Sequence, residues 1–262
     1  MPELPEVELY RQLAERAALG RVIVAVDARD AWMLKGGIAA PALGAALVGR
    51  SLVAARRRGK LLLLDTDDDG TVLGLRFGMT GRLLVDGTAG LDELLYSPHR
   101  TELRWDRFGL RFADGGSLRL QDPRRLGGIE LDPDEERLGP DALTITPAQL
   151  AAALAGSTVA LKARLLDQHR IAGVGNLIAD EILWRAGLAP MRPAGQLTPV
   201  EVRRLHRHLR SGLGLLIERG GAHTGDLGPE RRPGGRCPRD GTELLRATVG
   251  GRTSWWCPRH QR

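Results

Sequence analysis

The sequence predicts an α+β multidomain fold: an N-terminal helix with a β-sandwich, then a helical domain, then a C-terminal β-hairpin ribbon. Three observations predict it. Before residue 131 the apolar residues fall in short alternating runs cut by Gly/Asp turns, the signature of a sandwich or barrel. From Pro147 the apolar spacing becomes helical. The last stretch carries two mirrored knuckles, Cys237-Pro238-Arg239-Asp240 and Cys257-Pro258-Arg259-His260, around a hairpin turn at Gly250-Gly251. Domains are expected at 1–131, 147–224 and 225–262, with an acidic, Pro-rich linker at 132–146.

The elements follow in order. Val7, Tyr10, Leu13, Ala14 and Ala17 recur at helical spacing and Gly20 is a natural stop, so residues 5–19 are expected to form an amphipathic helix. Strands are expected at 21–27 and 51–55. A basic cluster, Arg56-Arg57-Arg58, leads through Gly59 and Lys60 into an apolar strand that begins at Leu61 and turns at 67–70. Thr71–Phe77 returns, and Gly78-Met79-Thr80-Gly81 makes a tight turn that presents Met79. Further strands are expected at 82–86, 102–106, 108–113 and 117–121. Asp122-Pro123-Arg124-Arg125-Leu126-Gly127-Gly128 reads as a stiff turn carrying two arginines and an outward leucine. Helices are expected at 147–154, 161–167, 176–186 and 199–218, with the Gly-rich turn Gly173-Val174-Gly175-Asn176 opening the third. Residues 224–236 read as a loop, and 244–249 with 253–256 as the hairpin.

Composition narrows the function. The net charge is +6, and residues 203–262 hold thirteen arginines and no lysine against five carboxylates. A cationic excess focused on one end fits a polyanionic partner, and equally an Arg-rich solvated surface. Two cysteines are too few for a secreted disulfide scaffold. No run reaches the roughly 18 apolar residues of a membrane span and no leader pattern opens the chain, so a cytoplasmic protein is expected.

Several stretches carry candidate chemistry. Pro2, once the initiator is removed, is a secondary amine, and an α-amino group titrates near ~8. Such an amine attacks carbonyl carbons and forms a Schiff base. Glu3 beside it can exchange protons. The plain alternative is a helix entry, with Pro5 in the first turn and acids at the positive end of the dipole. Lys60, at a strand mouth, is either a snorkelling lysine or a cation placed at a phosphate. Arg124 and Leu126 pair basic groups with an apolar wedge, the equipment of proteins that enter the minor groove. Cys237, Asp240, Cys257 and His260 are all chemically able to bind zinc; the alternative is a metal-free hairpin with an Asp240–His260 pair.

Pro2-Glu3-Leu4-Pro5-Glu6-Val7-Glu8, Asp122-Pro123-Arg124-Arg125, Leu165-Leu166-Asp167-Gln168, Gly173-Val174-Gly175-Asn176 and Gly250-Gly251-Arg252, together and in this order, resemble the formamidopyrimidine-DNA glycosylase/endonuclease VIII (Fpg/Nei) family of bifunctional DNA glycosylases. The resemblance spans nearly the whole chain. It implies a helix–two-turn–helix domain and a zinc-finger-like ribbon behind the sandwich. It also implies base-excision repair of double-stranded DNA carrying damaged bases or abasic sites, a structural Zn2+ and a nucleoid-associated protein; the sequence gives no hint of an obligate oligomer, so a monomer is expected. The catalytic residues it implies are Pro2 as nucleophile at the sugar C1′, Glu3 as general acid/base, Lys60 at phosphate and Arg252 at the phosphate flanking the lesion. Met79, Arg124 and Leu126 would fill the gap left by the everted base. His99, Lys162 and Asn176 would contact the backbone.

Some residues depart from the family pattern. Leu126 stands where many relatives carry Phe, Ile178 where relatives have Tyr, Arg76-Phe77-Gly78-Met79 where they have His-Leu-Gly-Met, and Asp240 and His260 replace two of four cysteines. Residues 219–236 are short, where relatives that recognise 8-oxoguanine carry a longer capping loop. Oxidised pyrimidines, ring-opened purines or bulkier adducts are therefore the expected lesions. Rival readings are an abasic-site lyase with little glycosylase activity, a non-catalytic DNA-binding relative, and a zinc-ribbon interaction module.

Overall fold

A computed structural model describes every residue except Met1, Asp68, Asp69, Asp92, Glu93, Tyr96, Ser97 and His99. The chain divides into two compact units, Met1–Glu135 and Glu136–Arg262.

The first unit is a β-sandwich with two helices. Helix α1 (Leu4–Ala17) buries Val7, Tyr10, Leu13 and Ala14, the stripe its spacing predicts. Strand β1 (Ile23–Asp27) follows, then a 3-10 turn (Ala31–Met33) and helix α2 (Ala40–Leu47). Next come β2 (Leu52–Arg58), β3 (Leu61–Thr66), β4 (Val72–Arg76), β5 (Arg82–Val85), β6 (Thr88–Ala89), β7 (Asp106–Phe112), β8 (Ser117–Gln121) and β9 (Gly128–Leu131). One sheet has the order β1-β7-β8-β5-β6 and the other β2-β3-β4-β9. Alternate residues of both sheets meet in one core: Leu62 and Leu64 of β3, Leu73 and Leu75 of β4, Leu83 and Val85 of β5, and Phe108, Leu110 and Phe112 of β7.

The sequence expectations need correction in places. The basic cluster Arg56–Arg58 is the end of β2, which runs on past the expected limit at residue 55, rather than a lead into the next strand. Residues 103–105 form a 3-10 turn with Leu103 exposed, so no strand runs over 102–106; β7 begins at Asp106. Helix α2 escaped notice because Pro41 and Gly44 break its apolar pattern. Strand β9 escaped because two glycines and Asp-Pro surround four residues.

The second unit is helical and ends in a hairpin. It contains α3 (Pro147–Leu154), α4 (Leu161–Leu166), α5 (Asn176–Ala186), α6 (Pro199–Glu218), β10 (Leu245–Val249) and β11 (Arg252–Trp256). Thr146 and Thr198 open α3 and α6 with capping boxes through Gln149 and Glu201, and proline occupies the first turn of each. Gly187 closes α5 in the left-handed conformation. Strands β10 and β11 pair antiparallel from Leu245↔Trp256 to Val249↔Arg252. Ala142 and Ile145, in the acidic stretch before α3, are buried in this unit, and Asp141 bridges to Ala172.

Candidate functional site

In the first unit α1 is the hub. Pro2 is buried, and Glu3 caps α1, its backbone N–H donating to the Glu6 carboxylate at 2.9 Å. Glu3 and Glu6 are both buried. The expected nucleophile and acid/base therefore sit at the N-terminus of a helix whose apolar stripe is locked in the core.

Two tethers run from α1 to the turns that carry the other candidates. The first is Arg57, whose Nε donates to Glu8 at 3.0 Å and whose Nη1 donates to the Gly59 carbonyl at 3.0 Å. This fixes the β2–β3 turn and with it Lys60. The second is Tyr10, whose hydroxyl donates to the Gly81 carbonyl at 3.0 Å and so holds the turn that presents Met79. Burial first, then Glu6, push the Tyr10 phenol above its ordinary range while Arg82 opposes, so it stays a donor at any working pH.

The Met79 turn is joined in turn to the wedge loop. The Thr80 hydroxyl donates to Asp122 at 2.6 Å. The same carboxylate accepts the backbone N–H groups of Arg124 (3.2 Å), Leu126 (2.7 Å) and Gly127 (2.8 Å). Asp122 is fully buried, while Arg124 and Leu126 are exposed. Gly78 (φ 56°) lies so close to this loop that a Cβ there would sit 2.4 Å from the Leu126 carbonyl carbon. Arg125 takes a left-handed φ of 56°, a conformation that costs a non-glycine residue free energy, and is held by Asp30 at 2.6 Å. The Arg125 hydrogen bond keeps Asp30 below the usual carboxylate range. Sequence reasoning missed Arg57, Tyr10 and Asp30 as braces; only contacts distant in sequence reveal them.

In the second unit Asn176 opens α5. Gln168 braces the Gly-rich turn before it, donating to the carbonyls of Leu166 (2.7 Å) and Val174 (2.9 Å) and accepting from the Gly173 N–H (3.0 Å). The Asn176 side-chain amide has a buried terminal atom with no partner among the described residues, at the positive end of α5. Arg252 is exposed at the start of β11. Lys162 departs from the expected surface role. It is fully buried, its ammonium 2.7 Å from Asp180 and donating to the Thr253 carbonyl at 2.9 Å. Asp180 also receives Arg231 (2.8 Å) and the Ser254 hydroxyl (2.8 Å). Lys162 thus braces the hairpin one residue from Arg252 and leaves no surface for a phosphate. His99 lies outside the described residues.

Cys237, Asp240, Cys257 and His260 converge, with their donor atoms all within 4.8 Å of one another. Cys237 Sγ lies 3.6 Å from His260 Nδ1, Cys257 Sγ 3.5 Å from Asp240 Oδ2, and His260 Nδ1 3.4 Å from Asp240 Oδ2. A tetrahedral zinc ion with its usual bond lengths sets S···N and S···O edges of about 3.5 Å and an N···O edge of about 3.3 Å. The donor set therefore fits a zinc ion. His260 Nε2 lies 3.1 Å from the Trp184 carbonyl, which favours the Nε2–H tautomer and leaves Nδ1 to the metal. The Trp184 indole N–H points at Cys237 Sγ at 3.4 Å, a donor suited to a thiolate. Burial pushes the Cys257 thiol up, with Cys237 adding to it.

Comparison with known proteins agrees with this layout. Residues 1–129 match the formamidopyrimidine-DNA glycosylase N-terminal domain and residues 138–226 the formamidopyrimidine-DNA glycosylase H2TH domain. The formamidopyrimidine-DNA glycosylase of Paracoccus denitrificans is 36% identical over 98% of this chain and 99% of its own. That of Nocardioides sp. is 36% identical over 98% and 93%. Among solved structures, the complex of Lactococcus lactis Fpg with DNA containing an abasic site superposes with a TM-score of 0.82 at 28% identity, covering 100% of both chains. The complex of that protein with DNA containing N7-benzyl-Fapy-dG gives 0.83 at 29%, again over 100% of both. With identity above a third over nearly the full length of both chains, this protein belongs to the formamidopyrimidine-DNA glycosylase family.

Proposed function

We propose that this protein is a base-excision DNA glycosylase with abasic-site lyase activity, acting on double-stranded DNA through Pro2. The observation that carries the reading is the convergence of tethers on α1: one helix mounts Pro2 and Glu3 and fixes the turns of Lys60 and Met79. A base inside a duplex shields its sugar carbon, so the nucleotide is first turned out. Met79, Arg124 and Leu126 occupy the gap, offsetting a few kcal/mol of lost stacking. Freed of Met1, the Pro2 nitrogen attacks C1′, the damaged base leaves with a proton, and Glu3 protonates the ring oxygen as the sugar opens to an iminium. That cation acidifies C2′. Loss of the C2′ proton expels the 3′ phosphate, and a second elimination expels the 5′ phosphate. Water then releases the enzyme. Lys60 and Arg252 neutralise the phosphates, and Asn176 binds one at the α5 N-terminus. Cys237, Asp240, Cys257 and His260 would hold a structural zinc ion, which fixes the hairpin that bears Arg252.

For the lesion, the segment after α6 supports an open pocket. Glu181 accepts the Asp226 and Leu227 N–H groups at 3.1 and 2.9 Å, and Asp180 holds Arg231. A segment this short and this tied is poorly suited to folding over a base. Ring-opened purines, bulky adducts and oxidised pyrimidines fit better than 8-oxoguanine, and the Lactococcus relative's complex with a benzylated ring-opened guanine is consistent with that. The test compares Glu3→Gln with wild type on a lesion panel and on preformed abasic DNA. Base excision is expected to fall far more than abasic-site cleavage. Equal losses would contradict the roles given to Glu3, and fastest excision of 8-oxoguanine opposite C would contradict the lesion class.

A further inference from the structure

Beside the wedge loop lies an aromatic residue that the mechanism above does not use. Trp32 is 67% exposed, an unusual position for the largest side chain. It is not on a free loop. Asp30 caps its 3-10 turn, accepting the Trp32 N–H at 3.2 Å, and the same carboxylate clamps Arg125. Lys35 donates to the Trp32 carbonyl at 2.7 Å, with its ammonium 5.4 Å from the indole centroid. The segment is stitched to the wedge along its length. Leu34 bridges to Ile129, the Lys35 N–H donates to the Ile129 carbonyl at 2.8 Å, and the Lys35 stem lies where a Gly128 Cβ would be. Met33 packs against Gly127 from the buried side.

Resting on the function proposed above, we propose that Trp32 and Lys35 form a second DNA contact, continuous with the Leu126 wedge. The duplex edge next to the intercalation point is its occupant: an indole face for sugars or an unstacked base, and an ammonium for a phosphate. The patch has both components that nucleic acids require, a π surface and a cation without an acidic partner. Arg125 is neutralised by Asp30, whereas Lys35 has no acidic partner among the described residues. The wedge itself is aliphatic, with Leu126 half-exposed, so an aromatic face at its flank supplies stacking surface that the wedge lacks. The braces fix the Trp32 backbone before DNA arrives, which lowers the ordering cost of binding.

The experiment measures anisotropy binding to a duplex carrying a tetrahydrofuran abasic analogue, across a salt series. Trp32→Ala is expected to weaken affinity roughly tenfold. Trp32→Phe should retain most of it, and Leu126→Phe should recover part of the Trp32→Ala loss. Lys35→Gln should lower the salt-dependence slope by about one. In wild type, DNA should protect from acrylamide a fluorescence component that is missing in Trp32→Phe. Unchanged affinity in Trp32→Ala, or equal losses in Trp32→Ala and Trp32→Phe, would overturn the contact. Borohydride trapping on abasic DNA separates the two failures. If wild type traps while Trp32→Ala binds like wild type, only this inference falls; if wild type neither binds nor traps, the function falls with it.

Discussion

The wedge loop of the first unit and the knuckles of the second solve one problem, holding exposed residues still, by different means. Asp122 organises the wedge with one buried carboxylate that accepts four protein donors, so the loop is complete within the polypeptide. The knuckles bring two thiols, a carboxylate and an imidazole within 4.8 Å of one another, a donor set that would gain its stability from an added cation. The first should therefore be indifferent to chelators and sensitive to substitution of Asp122. The second should be sensitive to both chelators and acid.

The largest expected effect follows from that contrast. Structural zinc in small domains contributes on the order of 10 kcal/mol to folding. Chelation, or Cys257→Ser, should therefore unfold the hairpin and abolish duplex binding, while near-neutral thermal unfolding of the sandwich stays unchanged. Metal analysis should find about one zinc per chain. Finding none in active protein would remove the contrast.

Lys162→Ala comes next. It leaves Asp180 without its buried lysine partner, and breaking a buried ion pair from one side costs about 3–5 kcal/mol. The melting temperature should fall, and DNA affinity should fall with it because Thr253, beside Arg252, loses its brace. Lost affinity with unchanged stability would instead restore the direct phosphate contact. Asp122→Ala strands the buried Gly127 N–H at about 1–3 kcal/mol and releases the part-buried Arg124 and Leu126 N–H groups. It should lower both stability and binding to abasic DNA, and it should not respond to added zinc.

How much of this was legible in the sequence depends on the range of the contacts. Local pattern announced α1, α3, α5 and α6, since caps and spacing are read within a few residues: Thr198 with Glu201, or Gly187 after Ala186. The knuckles were legible because cysteines are scarce here and their spacing repeats. The braces were not. Tyr10 and Gly81 are 71 residues apart, and Lys162 and Thr253 are 91 apart. No periodicity records such pairs. Lys162 is a further case: the resemblance placed it at the DNA backbone, and only the Asp180 carboxylate beside it accounts for its burial.

The smallest effect sharpens the second unit's dependence on pH. The Arg192 guanidinium, with the Thr198 N–H, lowers the Glu201 carboxylate to about 2. A depressed folded pKa gives stability that is present above the unfolded value near ~4.3 and is lost as pH falls through the folded one. Wild type should therefore lose stability between pH ~4.5 and 2. Glu201→Gln should be slightly less stable at neutral pH and show a flatter profile in that window. Parallel profiles would show that this cap contributes nothing.

The central claim is that the Pro2 nitrogen becomes bonded to the sugar. Borohydride reduction during reaction with abasic duplex, followed by mass analysis of the adduct, tests it most directly. The account predicts a stable protein–DNA conjugate linked through a Pro2 freed of Met1. Strand cleavage with no conjugate, or a conjugate in active protein that still carries Met1, would contradict it.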